Sequence, residues 1–254
     1  CYTGDGKTAH AETAPEPSNA PVLPESADQR PKVIYTVQDC DRLAATPGDP
    51  DRPDLKRKIR YADLDPQRVI STCLKDIAKW PDTRRFYAQI ARGYHKAGMF
   101  PKALEAAKTG ARMGSGQAMA TVGSMYKSGR GVPKNASEAL KWFEKAGHER
   151  NVTGMHFAAA MHLHAQGVPY DPQAAASWYQ TAAKMGNRNA FTNLGILYDN
   201  GEGVHYDPGK AARNLMKGLS KGAPQAKKLL LQNPQKLTGQ TRVEIQRILR
   251  RNGL

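Results

Sequence analysis

A period of 36 residues constrains this chain more than any local propensity does. Gly123, Ala159 and Gly195 are spaced by 36, and so are Gly131, Gly167 and Gly203. Val132, Val168 and Val204 keep the same step, as do Ala139, Ala175 and Ala211. Trp142 and Trp178 also keep it, with Leu215 one residue late. A helical hairpin of this length cannot bury both its faces alone, so copies must stack and share one core. Each copy reads alike: a helical stretch, a glycine that closes it, a Gly-Val turn, then a capped second helix. The glycines of Ser128-Gly129 and Asn200-Gly201 sit where a left-handed residue ends a helix. Asp171-Pro172 and Asp207-Pro208 pair an N-cap acceptor with a proline whose missing N–H is harmless there. Asn135 with Glu138 predicts a capping box.

The runs Val122-Gly123-Ser124-Met125-Tyr126, Gly129-Arg130-Gly131-Val132 and Glu138–Ala146 resemble a Sel1-like repeat. Leu194–Tyr198, Gly201-Glu202-Gly203-Val204 and Lys210-Ala211 resemble it again. The middle copy departs from the pattern: Ala159 replaces the signature glycine, His162 the tyrosine and Ala165 the first loop glycine. The third carries Asn214-Leu215-Met216 where aromatics are usual. The resemblance implies an all-α fold, a right-handed α-solenoid of helical hairpins related to tetratricopeptide repeats. It also implies an adaptor that binds other proteins.

The remaining segments order themselves around residues 118–222. Residues 1–32 are rich in Pro, Ala, Glu and Ser, which predicts a disordered tether. Cys1 followed by such a tether resembles a mature bacterial lipoprotein, which would place diacylglycerol on that thiol; an arbitrary chain boundary is the other reading. Cys40 and Cys73, in residues 33–81, lie in a stretch similar to one that precedes Sel1-like repeats in exported proteobacterial proteins. That resemblance implies a Cys40–Cys73 disulfide and a periplasmic location, with a lipid anchor to the outer membrane. Two free buried thiols would be the alternative; without a nearby histidine the pair is a poor metal-ligand set. Pro66–Lys79 is expected to be a helix. Residues 82–117 hold a shorter hairpin like a tetratricopeptide repeat, and 223–254 a basic helical cap. Thr241–Gln246 also resembles the opening of a peptidoglycan-binding helical domain, of which the rest is not present.

Charge narrows the partner. Residues 1–58 carry 8 Lys and Arg against 10 Asp and Glu, whereas residues 59–254 carry 30 against 13. A basic solenoid favours an acidic partner: an envelope protein, a cell-wall glycan such as peptidoglycan, or an anionic surface. No nucleic-acid motif accompanies the charge. No apolar run approaches the roughly 20 residues of a membrane span. His148, His156, His162 and His164 lack the i, i+4 spacing of a helical metal site. Gly4-Asp5-Gly6-Lys7-Thr8 lacks the spacing of a phosphate loop, and no Gly-x-Ser-x-Gly elbow occurs. No cofactor and no catalytic residue is therefore expected.

The Sel1 resemblance implies that the first helices line a concave groove. Its expected lining is Arg85, Arg92, His95, Lys96, Gln117, Lys127, His156, His164, Asn189, Asp199 and Asn200, basic at first and amide-rich later. Gly123, Gly131, Trp142, Gly167, Trp178, Gly195 and Gly203 are expected to hold the repeats together. The expected role is a non-enzymatic scaffold in the bacterial envelope, with glycan binding or control of a cell-wall enzyme or sensor kinase as alternatives.

Overall fold

The computed structural model describes residues 38–45, 50–51 and 60–252. Cys1 and the expected tether lie outside them. The described residues form an α-solenoid without strands. Its helices are α1 (Asp39–Ala44), α2 (Pro66–Lys79), α3 (Arg84–Lys96), α4 (Phe100–Arg112), α5 (Gly116–Ser128) and α6 (Ala136–His148). Then come α7 (Val152–Leu163), α8 (Pro172–Lys184), α9 (Arg188–Asn200), α10 (Pro208–Ser220), α11 (Pro224–Gln232) and α12 (Gly239–Arg251). Helices α3 to α10 are four hairpins; α2 packs on α3, and α12 packs on α10.

The period reappears as hydrogen bonds. Second helices open on Asn135, Asp171 and Asp207, whose side chains accept from the N–H of Glu138, Ala174 and Lys210. First helices open on Ser115, Asn151 and Asn187, which accept from Ala118, Gly154 and Ala190. Each cap contributes about 1 kcal/mol. Only half of the expected capping box forms, because the Glu138 carboxylate turns outward to Lys141.

Packing corrects the register of the third copy. A Cβ on Gly123 would lie 2.9 Å from the Phe143 ring, and one on Gly195 would lie 2.6 Å from Leu215. Leu215 is thus the counterpart of Phe143 and Tyr179, in step, and Asn214 takes the tryptophan position. Trp178 serves a different contact: it closes over Gly147 of α6, where a Cβ would meet its ring at 2.6 Å. The main core runs from Ala139 through Met155, Met161, Trp178 and Tyr179 to Leu197.

Two positions break the pattern at a cost. Ala165 holds φ 46° where Gly129 and Gly201 hold 74° and 68°. Arg150 holds φ 61° where Gly114, Gly186 and Gly222 hold 84°, 84° and 73°. A side chain in this left-handed region costs roughly 1–2 kcal/mol. Ala165→Gly and Arg150→Gly are each expected to stabilise by about 1 kcal/mol, raising the melting temperature by about 2–4 °C. Thermal denaturation checks this; a lower melting temperature for both would contradict it.

Candidate functional site

The inner face of the solenoid is built from its first helices, and the chain itself fills the N-terminal end of that face. Asp41 of α1 is fully buried. Arg85 donates to it through Nε at 2.9 Å and Nη2 at 3.0 Å, and Gln89 donates through Nε2 at 2.9 Å. Arg92 donates to the Ala44 carbonyl at the end of α1, 2.6 Å away. Asp76 of α2 accepts from the Cys40 N–H at 2.8 Å. A disulfide joins Cys40 to Cys73 and fastens α1 to α2, both sulfurs buried. Around it Ala44, Leu64, Val69, Phe86 and Ile90 form a separate small core.

Behind α1, the 3-10 turn Tyr61–Asp63 covers the end of α3. Lys96 donates to the carbonyls of Tyr61 and Ala62. The Tyr61 hydroxyl lies 2.7 Å from Nδ1 of His95, and Arg130 lies 3.3 Å from its Nε2. A guanidinium only donates, so Nε2 accepts and Nδ1 carries the proton, which it donates to Tyr61. Burial, and then the Arg130 charge, hold His95 below its ordinary value.

The expectation of a basic groove entrance open to an acidic partner therefore fails at Arg85 and Arg92. Both are buried, their charges turned to a carboxylate and a helix end of the same chain. Gln117 is also buried and accepts from Asn151 at 3.1 Å. Asp199 is buried as well; it accepts from the Thr238 hydroxyl at 2.6 Å and N–H at 3.1 Å, so it holds the N-terminus of α12. His164 is exposed at the C-terminal end of α7.

Further along, the face opens. Tyr61, Arg92, His95, Gln117, Thr121, Ser124 and Thr153 surround a hollow of about 150 Å³ between α3, α5 and α7. Beyond it Lys127 holds its ammonium 5.0 Å from the centre of the Phe157 ring. His156, half-buried beside this pair, is pushed down by burial and by Lys127. Asn193 bonds the Tyr179 hydroxyl, whose pKa burial pushes up to about 12. Asn189 is half-buried at the start of α9. A second hollow of about 380 Å³ lies between α9 and α11, lined by Ile196, Asp199, Asn200, Gln225, Lys228, Leu229 and neighbours.

Thr121, Ser124, Thr153, Ile196 and Gln225 are lining residues that sequence reading missed. A signal for some of them existed: Gln117, Thr153, Asn189 and Gln225 are 36 apart. The face offers amides, hydroxyls and a few cations spread over several helices. That suits reversible polar contact with an extended ligand. Among the described residues no group of three His, Cys, Asp or Glu is placed to hold a metal.

The two depressed histidines make stability depend on pH. As pH falls through the ordinary value of 6.5, the unfolded imidazoles take up protons that folded His95 and His156 resist. Stability is therefore expected to fall below about pH 6.5 until the folded groups titrate too. Urea unfolding at pH 7.5 and about pH 5 should show a drop that shrinks in the His95→Gln, His156→Gln variant. An equal drop in both proteins would contradict this.

A Sel1 repeat family model matches residues 116–149, 152–187 and 192–222. The crystal structure of a Sel1 repeat protein from Oxalobacter formigenes superposes with a TM-score of 0.56 at 25% identity, covering 62% of this chain and 67% of that one. So does c5321, a protective antigen of uropathogenic Escherichia coli strains with an SLR fold, at TM-score 0.56 and 20% identity. That match covers 74% of this chain but only 45% of the Escherichia coli protein, and it shows the fold alone. No curated protein matches the chain.

Proposed function

Residues 116–222 are three Sel1-like repeats, a class of generally protein-binding adaptors, and from that premise we propose that this chain captures a partner protein along its inner face from α5 to α11. The observation that carries this reading is the division of that face. Its N-terminal end is sealed by α1 and the Tyr61 turn, whereas the hollows at Thr153 and Ile196 are open. The partner works against polar and amide groups with Lys127 between them, while the Arg85 and Arg92 guanidiniums are tied to α1. Its contribution is recognition without a chemical step. A buried Cys40–Cys73 disulfide supports an oxidising compartment, such as the bacterial periplasm.

A second reading rests on the C-terminal cap. Residues 221–254 carry 8 basic residues and 1 acidic one. Arg247, Arg250 and Arg251 flank a shallow hollow of about 340 Å³ on α12, which favours an acidic glycan. One experiment separates the two. Immobilised chain is exposed to envelope extract, and in parallel is sedimented with purified peptidoglycan. Thr153→Arg is expected to abolish protein capture, whereas Gln180→Arg, on an exposed site of α8, leaves it intact. Capture that survives Thr153→Arg, together with sedimentation lost on Arg250→Glu and Arg251→Glu, would replace the adaptor reading with the glycan reading.

A further inference from the structure

The hollow between α9, α11 and the 3-10 turn Pro234–Lys236 holds about 380 Å³. We infer that it is a subsite for an aliphatic side chain flanked by carboxylates, on an internal acidic segment of the partner. The inference rests on the adaptor reading and gives its partner a chemistry.

Three features carry it. One is an aliphatic wall: Ile196, Leu229 and Leu237 line the hollow, and no aromatic ring joins them. Such a wall takes a leucine-sized side chain and lacks the flat ring on which a sugar stacks, so a peptide is favoured over a glycan. Another is charge. Lys228 and Lys236 stand at the rim, and neither has an ion-pair partner among the described residues. The lining carboxylate, Asp199, is already committed. It takes the Thr238 N–H and hydroxyl, and the N-terminal end of α12 offsets its charge. The two lysines are thus left to attract an anion from outside. The third feature is the ring of side-chain amides, Asn200, Gln225 and Asn233, which can donate to and accept from an extended backbone. Carboxylates on either side of a leucine meet the lysines while the leucine enters the hollow.

The test uses the full chain and three pentapeptides, acetylated and amidated so that no terminal charge contributes. They are Gly-Glu-Leu-Glu-Gly, its Gln-Leu-Gln form and its Glu-Ala-Glu form. Binding is read from the side-chain amide resonances of Asn200, Gln225 and Asn233. The Glu-Leu-Glu peptide is expected to shift them, with each of the other two binding about fivefold more weakly. Lys228→Glu with Lys236→Glu should erase the preference for Glu over Gln. Equal binding of the Glu and Gln peptides, shifts confined to other parts of the chain, or no shifts at all would each overturn the inference. Protein capture that still depends on Thr153 would then stand, so the subsite and the adaptor reading fail separately.

Discussion

Gly203→Val is expected to lower the melting temperature by about 10 °C, from a loss of about 3–5 kcal/mol. Two causes add. Gly203 holds φ 67°, a conformation that costs a β-branched residue at least about 1–2 kcal/mol. A Cβ there would also run into the Pro172 carbonyl, with the Gln173 nitrogen 2.8 Å away. These are backbone atoms at the start of α8, so nothing flexible can give way. The loop of one repeat is seated directly on the second helix of the previous one, and glycine is what lets them touch. Gly131 makes the same contact two hairpins earlier, where its Cβ would meet the Phe100 backbone at 2.8 Å. Gly186→Ala is the control. Its φ is 84°, but nothing lies within 4 Å of the added carbon, so it should lose only about 1–2 kcal/mol. Equal losses for both variants, measured by calorimetry, would show that backbone conformation alone accounts for the effect.

Asp41→Ala is expected to cost about 3–5 kcal/mol, because it leaves the buried Arg85 guanidinium without that carboxylate. The damage should stay local. In a stacked array each unit leans on its neighbours, so α1 to α3 should exchange amide hydrogens faster while α7 to α10 hardly change. Asp41→Ala with Arg85→Met should recover part of the loss, since an apolar pair has no charge to desolvate. The disulfide, closing a separation of 33 residues, adds about 3–4 kcal/mol to the same cap in the chain-entropy model. Uniformly raised exchange along the whole chain would mean that the cap is not a separate unit.

These two predictions also mark what was legible in the sequence. Gly203 stood out because it repeats at a fixed step with Gly131 and Gly167, and periodicity directly encodes contacts between neighbouring units. The start of α2 was legible at Asp65 and Pro66, a cap acceptor with a proline behind it. Asp41 was not legible. It meets Arg85 across 44 residues, and no repeat links them. Arg85 and Arg92 lie on α3, and only the fold shows that α1 already covers them. The Leu215 register was misread for a simpler reason. Tryptophan is conspicuous, yet the signature glycines are packed by the residue after the tryptophan position, Phe143 for Gly123 and Leu215 for Gly195. The hollow at Lys228 and Lys236 depends on how the turn after α11 folds back toward α9, and short-range pattern says nothing about that.

The inner face between α5 and α11 is proposed to receive a protein. A photo-crosslinking amino acid placed at Thr153, and separately at Gln180, tests it in living cells of the source organism. A discrete heavier adduct is expected from Thr153, one that disappears when a competing inner-face variant, Ser124→Arg, is combined with it, and none is expected from Gln180. An adduct from Gln180 with none from Thr153 would contradict it and move the interaction surface to the outer helices.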